Sequence, residues 1–234
     1  MSGSDLDILD GVIRAAKRLG ADAADALYVE SASLGISWRL GKVEDVERAE
    51  SRDIGLRVFI GHQQAVISST DLSKSSLEGL AERAVQMAKM APDDPYCGLA
   101  DPALLAREFP ELDLAAPVEP SAEQLRERAA AAEGTALAVP GITNSEGAGA
   151  NWGRSRVALM TSHGFAGQYG SSSHSISISV LAGEGTGMER DDEFTSARHG
   201  GDLDAPEEVG RSAASRALKR LNPRKMATQA VPIV

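Results

Sequence analysis

The four histidines are the side chains best suited to bind a metal ion, and their spacing decides whether they form a site. His62, His163, His174 and His199 are scattered through the chain. A zinc hydrolase usually presents two histidines four residues apart on a helix, with a glutamate between them. That pattern is absent, and isolated histidines are more often turn or surface residues than ligands. The sequence therefore predicts no metal-binding residue in this chain.

The sequence also contains no residue that is recognisable as a catalytic nucleophile. The single cysteine, Cys97, precedes Gly98 in a proline-rich segment and has no basic neighbour in the sequence to activate it. Serines between Ser171 and Ser179 alternate with His174, Ile176 and Ile178, which is typical of a half-buried strand with one polar face. That spacing does not build a Ser-His-Asp triad, so the sequence predicts no catalytic residue.

Glycine and acidic clusters are the remaining candidates for a binding site. Gly147, Gly149 and Gly153, and later Gly183, Gly185 and Gly187, match neither phosphate-loop pattern and are interpreted as hairpin turns. Met188–Glu193 places four acids around Arg190. Such a cluster could bind a cation or a peptide amine, but alternate residues of a strand point to opposite faces. A solvated edge or an ion pair at Arg190 is therefore favoured, and no cofactor-binding residue is predicted.

Length, composition and charge indicate which class of protein this is. The chain has 234 residues, 42% of them hydrophobic and 25% charged, which suits one large globular domain or two fused modules. The net charge of −10 disfavours direct contact with nucleic acid or an anionic membrane. A lone cysteine cannot form an intrachain disulfide, and neither a signal peptide nor a membrane helix is recognisable. We expect a cytoplasmic protein.

Apolar periodicity and turn residues predict the secondary structure. Four helices are expected, from Ser4 to Gly20, Ser73 to Pro92, Ser121 to Val139 and Asp204 to Leu221. Strands are expected over 25–30, 34–40, 43–50, 54–60 and 64–69, and then over 142–151, 156–162, 165–170, 174–180 and 188–199. The pattern predicts an α+β fold, an antiparallel sheet with helices packed on one face, in which a helix–strands–helix arrangement occurs twice.

The domain organisation follows from a proline-rich segment. Six of the ten prolines lie between Pro92 and Pro120, with seven acidic residues and only one basic residue, Arg107. We expect an extended connector over 92–120, with one short helix begun by Asp101 and Pro102. The predicted organisation is a first α+β half over 1–91, this connector, a second half over 121–223, and the start of a missing C-terminal domain over 224–234. Ala230–Val234 looks like a strand that has just begun.

Several segments together resemble the TldD/PmbA family. The first set is Gly55–Ala65, Ser68–Ser73 and Asp94–Ala100. A second set looks specifically like the PmbA members, also called TldE: Met188–Asp191, Ala197–His199, Asp202–Leu203, Val209–Gly210 and Arg220–Lys225. The similarity covers essentially the whole chain as the N-terminal portion of a family member, and it implies that a full-length member continues past Val234.

The resemblance implies a bacterial cytosolic protein named as a modulator of DNA gyrase. In the family, such a protein pairs with a TldD subunit to form a metallopeptidase that acts on extended or unfolded peptides. Family members are associated with maturation of a peptide antibiotic and with antitoxin turnover. The family's zinc motif, a His-Glu-x-x-x-His helix, belongs to TldD and has no match here, so zinc is expected only in a TldD-like partner.

Three functional hypotheses remain open. The first is the N-terminal domain of a non-catalytic, TldE-like subunit, whose partners are a TldD-like subunit and a peptide or unfolded protein. The second is a regulatory protein-binding module that acts on DNA gyrase or another partner without proteolysis. A self-sufficient hydrolase is the weakest, because no nucleophile and base are visible. Whether the chain forms a homo-oligomer is left open by the sequence.

Overall fold

The chain forms two successive groups of helix, three strands and helix. A computed structural model describes residues 5–232. The elements are α1 (Asp5–Arg18), β1 (Ala23–Arg39), β2 (Lys42–Ile60), β3 (Gln63–Ser69), α2 (Lys74–Met90), α3 (Ala122–Leu137), β4 (Ile142–Thr161), β5 (Ala166–Ala182), β6 (Glu189–Ala197) and α4 (Pro206–Arg220). Single turns of 3-10 helix lie at Pro102–Leu104 and Gly185–Gly187. The expected helix start at Ser4 and the end of the strand expected over 230–234 lie outside the described residues.

All six strands belong to one sheet in the order β3-β2-β1-β4-β5-β6. β2 and β3 pair antiparallel, with Ile54 opposite Ser69, and β5 and β6 pair antiparallel, with His174 opposite Ala197. The outer strands are thus the last strand of each group. This arrangement confirms the predicted α+β fold and its twofold helix–strands–helix order.

The prediction of ten short strands is wrong, because eight of the expected runs merge into four long strands. β1, β2, β4 and β5 are each 17 to 20 residues long. Each contains a polar stretch that interrupts the apolar alternation, and such interruptions predict a break between two strands. They remain extended because they face one another: Ser31 Oγ lies 2.9 Å from Ser51 Oγ, and Ser155 Oγ lies 2.9 Å from Ser171 Oγ.

The expected side-chain cap is present at the start of α2, of α3 and of the 3-10 turn at Pro102, but not at the start of α4. Ser73 caps α2 by accepting a hydrogen bond from the Ser76 amide. Ser121 and Gln124 form a reciprocal capping box at the start of α3. Asp101 caps the 3-10 turn that begins at Pro102. The fourth expectation is wrong: α4 starts after Ala205, which provides no side-chain cap, and Pro206 occupies the first turn.

The described chain divides into two compact units built from alternating segments. Unit 1 contains the residues up to Ser33, Arg48–Pro117 and Gly153–Ser172. Unit 2 contains Leu34–Glu47, Val118–Trp152 and the residues from Ser173 onward. Each of the four long strands therefore supplies residues to both units. The consecutive domain boundaries expected from the proline content stay a prediction.

Each unit has its own apolar core. In unit 1, α1 and α2 pack together, and their buried side chains join those of β1 and β2, including Leu9, Leu80, Ile54 and Leu56. In unit 2, α3 packs on α4 and α4 packs on β6. Its fully buried side chains include Leu125, Ile176, Ile178 and Val180. Within residues 5–232, no helix is long and apolar enough to cross a membrane.

Candidate functional site

Two of the four histidines occupy turns, as the sequence predicted. His62 lies in the exposed turn between β2 and β3, where its carbonyl oxygen accepts a hydrogen bond from Asp94. His163 lies in the turn between β4 and β5. One ring nitrogen of His163 is 3.0 Å from Thr161 Oγ1 and the other is 2.8 Å from the Ala100 carbonyl oxygen. Hydrogen bonds to protein groups therefore account for the His163 ring.

His174 lies in a strand, as the prediction over 174–180 had it, but the surface position expected of an isolated histidine is wrong. The residue lies in β5 and is only 3% exposed. The alternation that buries Ile176 and Ile178 carries through to His174, because all three lie on the same face of the strand. Burial, followed by the charges of Arg128 and His199, lowers the pKa of His174 below its usual value. The imidazole is therefore neutral at pH 7.

The first glycine cluster is not a hairpin turn, contrary to prediction. Gly147, Gly149 and Gly153 all lie inside β4. A Cβ on Gly149 would lie 3.3 Å from Ser177 Oγ, and one on Gly147 would lie 3.4 Å from the Trp38 carbonyl oxygen. The second cluster does form a turn, which includes the 3-10 turn at Gly185–Gly187.

Two of the four carboxylates in the acidic cluster of β6 pair with arginines of α4. Arg190 pairs with Glu146 at 3.0 Å, which confirms the ion pair favoured by the sequence. Asp191 accepts a hydrogen bond from Arg220, which holds the pKa of Asp191 below its usual value. Glu193 accepts hydrogen bonds from Ser212 and from Arg216. These carboxylates tie β6 to α4 instead of facing a ligand.

Residues 5–232 contain no group of three or more histidine, cysteine, aspartate or glutamate side chains that could hold a metal ion. Cys97 is a half-buried free thiol in the connector. The donor set of the described chain therefore does not fit a metal centre, and no chemical step is assigned to one.

A large cavity lies in unit 1, where the polar stretches of the long strands come together. Its volume is about 920 Å³. We call it the polar cleft, and its lining residues are Glu30, Ser31, Ala32, Glu50, Ser51, Arg52, Thr70, Ala115, Arg154, Ser155, Arg156 and Gly170. Ser31, Ser51 and Ser155, whose hydroxyls take part in the pairs between strands, also line the cleft. The same residues that interrupt the apolar alternation thus form its walls.

An ion-pair network fixes one end of the polar cleft. Arg156 contacts Asp5 at 2.9 Å and Glu30 at 2.6 Å, and Arg52 contacts Glu30 at 3.2 Å. Burial, together with the charges of Glu30 and Asp5, raises the pKa of the nearby Tyr28 hydroxyl. These side chains are therefore held in place by one another.

Arg154 is the cation of the cleft that remains available to a ligand. Its side chain is exposed, and it forms no ion pair with any of the described residues. The lining carries three arginines against two glutamates, although the whole chain has a net charge of −10. Because Asp5 also pairs with Arg156, these charges balance, and Arg154 is the group of the cleft that suits a carboxylate or another anion.

A second cavity of unit 1 adjoins the polar cleft through Ala115 and Gly170, which line both. Its volume is about 750 Å³, and most of its lining is apolar. We call it the apolar groove, and its apolar side chains are Leu27, Phe109, Pro110, Leu112, Leu114, Val157, Leu159, Phe165 and Tyr169. The two cavities form one continuous surface, which is charged in the polar cleft and hydrophobic in the apolar groove.

The connector builds one wall of the apolar groove. The Leu114 carbonyl oxygen accepts a hydrogen bond from the Ser172 amide at 2.9 Å, and the Ser172 hydroxyl accepts one from the Ala116 amide at 2.7 Å. Further along, the rings of Phe109 and Phe165 meet edge to face with centroids 5.9 Å apart. This part of the connector is therefore anchored to β5.

The sequence alone does not reveal this surface. The available signal was the set of polar stretches within strands, such as Ser31–Ser33 and Ser171–Ser173, but their alignment depends on the strand order. The apolar residues of the connector, including Phe109 and Leu112, had no periodicity that could be interpreted.

Family comparisons match most of the chain. The model described as PmbA/TldA metallopeptidase domain 1 matches residues 24–88, and the model described as the central domain matches residues 115–221. Metalloprotease PmbA of Escherichia coli O157:H7 is 37% identical over 231 residues, which cover 97% of this chain and 51% of that protein. The chain belongs to the PmbA/TldD family.

Solved structures show the same fold as this PmbA/TldD chain. A protein from Bacteroides thetaiotaomicron named as a modulator of DNA gyrase superposes with a TM-score of 0.88 at 22% identity, covering 96% of this chain and 52% of that one. TldE from Thermococcus kodakarensis superposes with a TM-score of 0.78 at 16% identity, covering 90% and 47%. The PmbA/TldD chain spans about half the length of the relatives that it matches.

Proposed function

We propose that this chain is part of a non-catalytic, TldE-type subunit of a TldD/TldE peptidase, and that the polar cleft and apolar groove of unit 1 hold an extended polypeptide. The continuity of these two cavities is the observation that carries the proposal. In this proposal, zinc and peptide-bond hydrolysis belong to a TldD-like partner, and this chain supplies binding surface.

The chemistry of the surface suits a polypeptide better than a small metabolite. Phe109, Phe165 and Leu159 offer apolar contacts to side chains, whereas Arg154 offers a charge to a carboxylate. A ligand that spans both must carry apolar groups and a negative group on a long backbone. The cavities are open, which suits a chain that enters and leaves without the closure typical of cofactor sites.

Exposed apolar side chains on the outer strands support a protein partner. Phe194 on β6 is 64% exposed and Val66 on β3 is 63% exposed. Edge strands with unpaired backbone groups and exposed apolar residues favour contact with another chain. A TldD-like subunit is the partner that family membership suggests.

Peptide binding is tested by fluorescence anisotropy with a labelled peptide that carries both apolar residues and a free carboxyl terminus. We expect Arg154→Gln and Phe109→Ala each to weaken binding several-fold. The matched controls are Arg83→Gln, which removes an exposed arginine from α2, and Met90→Ala, which removes an exposed apolar side chain at the end of α2. Equal weakening by the controls would show that the surface does not select the peptide.

Partner identity is tested by capture. The tagged chain is mixed with a TldD-like subunit, with DNA gyrase or with duplex DNA, each at two salt concentrations. We expect retention of the TldD-like subunit at both, because contact between packed apolar surfaces is little affected by screening of charge. Capture of gyrase without the TldD-like subunit would favour the regulatory alternative and contradict the peptidase-subunit proposal.

A further inference from the structure

The outer side of β5 is not covered by another strand along its first half. β6 pairs with residues 174–182 of β5, and no strand in the described part of the chain pairs with the outer side of residues 166–172. Edge strands of native proteins are normally protected by charged residues, proline or bulges. Residues 166–172 contain neither a charged residue nor a proline, and Gln168 and Gly170 are exposed. This stretch of unit 1 is therefore an unprotected strand edge.

The connector shows that this edge binds an extended backbone. The Ser172 amide donates a hydrogen bond to the Leu114 carbonyl oxygen, so this amide points away from β4. Backbone groups of successive residues in a strand point to opposite sides, so those of Gln168 and Gly170 point outward as well. The carbonyl oxygen of Phe165, at an odd position, accepts a hydrogen bond from β4 instead. Gln168 and Gly170 therefore each present an N–H and a C=O to the outer side of β5.

The backbone of the connector stops following this edge at Asp113. That residue has a φ of 43°, in the left-handed region that aspartate adopts more readily than most residues. A left-handed residue interrupts an extended backbone, so the pairing at Ser172 is not continued toward the start of β5. The apolar groove of about 750 Å³ opens there, between residues 109–115 of the connector and residues 167–170 of β5.

Side chains of the sheet form an apolar floor next to this edge. Leu27 of β1 and Leu159 of β4 line the groove, and Tyr169 of β5 lines it too. The neighbours Ala26 and Ala158 belong to the core that contains α1 and α2. Because side chains alternate between the faces of a sheet, Leu27 and Leu159 lie on the face turned away from these helices. A strand added beside β5 would place every second side chain on that apolar face.

We propose that the outer edge of β5 over residues 166–171 pairs with one added strand of an extended polypeptide, whose side chains lie in the apolar groove at every second position. An extended polypeptide is the occupant that fits, because the same edge already binds the extended backbone of the connector at Ser172. Main-chain hydrogen bonds to Gln168 and Gly170 give affinity for many sequences, and the groove selects apolar residues two positions apart. This mode of recognition rests on the proposed function, because it needs a polypeptide in the groove.

The test is a series of peptides with single N-methylated amides, whose binding is measured by fluorescence anisotropy. The parent is a labelled peptide with three leucines at alternate positions and polar residues between them. We expect methylation of every second amide to weaken binding about fivefold or more, since each of these loses a hydrogen bond to β5. Methylation of the intervening amides should have little effect, because they point away from β5. Equal weakening at all positions, or none at any, would overturn strand pairing.

The spacing of apolar residues is tested with a second peptide of the same composition, in which the three leucines are consecutive. Neighbouring side chains of a strand point to opposite faces, so this peptide places fewer leucines in the groove. We expect it to bind more weakly than the parent. Equal affinity for the two peptides would contradict the selection of alternate apolar residues.

Gln168→Pro tests the protein side of the same hydrogen bonds. It removes the outward N–H of residue 168, and proline is tolerated on an edge strand where the N–H faces solvent. The matched variant Gln168→Ala removes the same side chain and keeps the N–H. We expect Gln168→Pro to bind the parent peptide about fivefold more weakly than Gln168→Ala does. Equal affinities would contradict the proposal, and the N-methylated series on the unaltered chain decides if Gln168→Pro fails to fold.

Failure of strand pairing is distinguishable from failure of the proposed function. Peptide binding that Phe109→Ala weakens, but that N-methylation leaves unchanged, would keep the groove as a peptide site and refute strand pairing. Absence of binding by every peptide would refute both. Analytical ultracentrifugation of the chain alone tests a second copy as the occupant. A dimer that Gln168→Pro dissociates would assign the edge to self-association and contradict the proposal.

Discussion

Gly210 marks a close approach of α4 to the backbone of α3, and replacing it with alanine should destabilise unit 2. A Cβ on Gly210 would lie 2.2 Å from the carbonyl oxygen of Ala132 and 3.2 Å from the amide nitrogen of Ala136. Ordinary contact begins at 3.4 Å, so the helices must separate by about 1.2 Å. Both atoms belong to the backbone, and no side-chain rotation can relieve the overlap.

The size of the effect follows from two opposing contributions to the free energy of unfolding. Overpacking of a rigid interface costs about 3 kcal/mol at the upper end of its usual range. Alanine in place of glycine inside a helix returns about 1 kcal/mol. We therefore expect Gly210→Ala to lose about 2 kcal/mol net, which corresponds to a fall of about 4–8 °C in the unfolding midpoint for a chain of this length.

The matched control is Gly134→Ala in α3. That glycine is also helical, but a Cβ on it would have no neighbour within 4 Å. The control should gain up to about 1 kcal/mol from helix propensity alone. Unfolding in urea is followed by tryptophan fluorescence, which reports on unit 2 because Trp38 and Trp152 both belong to it. If Gly210→Ala is as stable as Gly134→Ala, the helices do not approach one another as described.

Three further expectations concern charge, the connector and metal. Asp191→Asn should be less stable than the original chain at pH 7. The difference should shrink as the pH falls below about 4, because the carboxylate that Arg220 stabilises is then protonated and its contribution lost; a constant difference across pH 2–7 would contradict this. Limited trypsin digestion should first cut after Arg107, which lies between the anchored carbonyls of Ala100 and Leu114. Earlier cuts within the strands would contradict that expectation, and Arg107→Gln is the control. Elemental analysis should find no stoichiometric zinc in the purified chain, since residues 5–232 hold no suitable group of ligands; a zinc-to-protein ratio near one after dialysis would refute it.

Local sequence signals predicted the elements but not the length of the strands. Ser121 and Gln124 predict the start of α3, because a capping box involves only residues three apart. By contrast, the stretch around Ser51 gives no periodicity, since the whole of Lys42–Arg52 is exposed on both faces of β2. Only hydrogen bonding to neighbouring strands keeps it extended, and such pairing depends on residues distant in the sequence.

The candidate sites were harder to predict for the same reason. Arg154 lies in a strand and Phe109 in the connector, and neither residue belongs to a motif that marks a ligand. The burial of His174 was nevertheless implied by its position in the alternation with Ile176 and Ile178. The predicted strand over 174–180 was right, but the burial of His174 was missed because isolated histidines were judged by residue type instead of by strand position.

The two units are built from alternating segments of the chain, and this limits the order in which the chain can fold during synthesis. Unit 1 is complete only once Gly153–Ser172 has been synthesised, and Leu34–Glu47 of unit 2 emerges long before the rest of that unit. The chain therefore cannot fold one unit at a time from the N-terminus, which is the usual route for nascent proteins. β1 must wait, with one edge unpaired, for β4. Folding of this kind is slow and exposes strands to aggregation, so the nascent chain should be a client for chaperones that shield extended polypeptide.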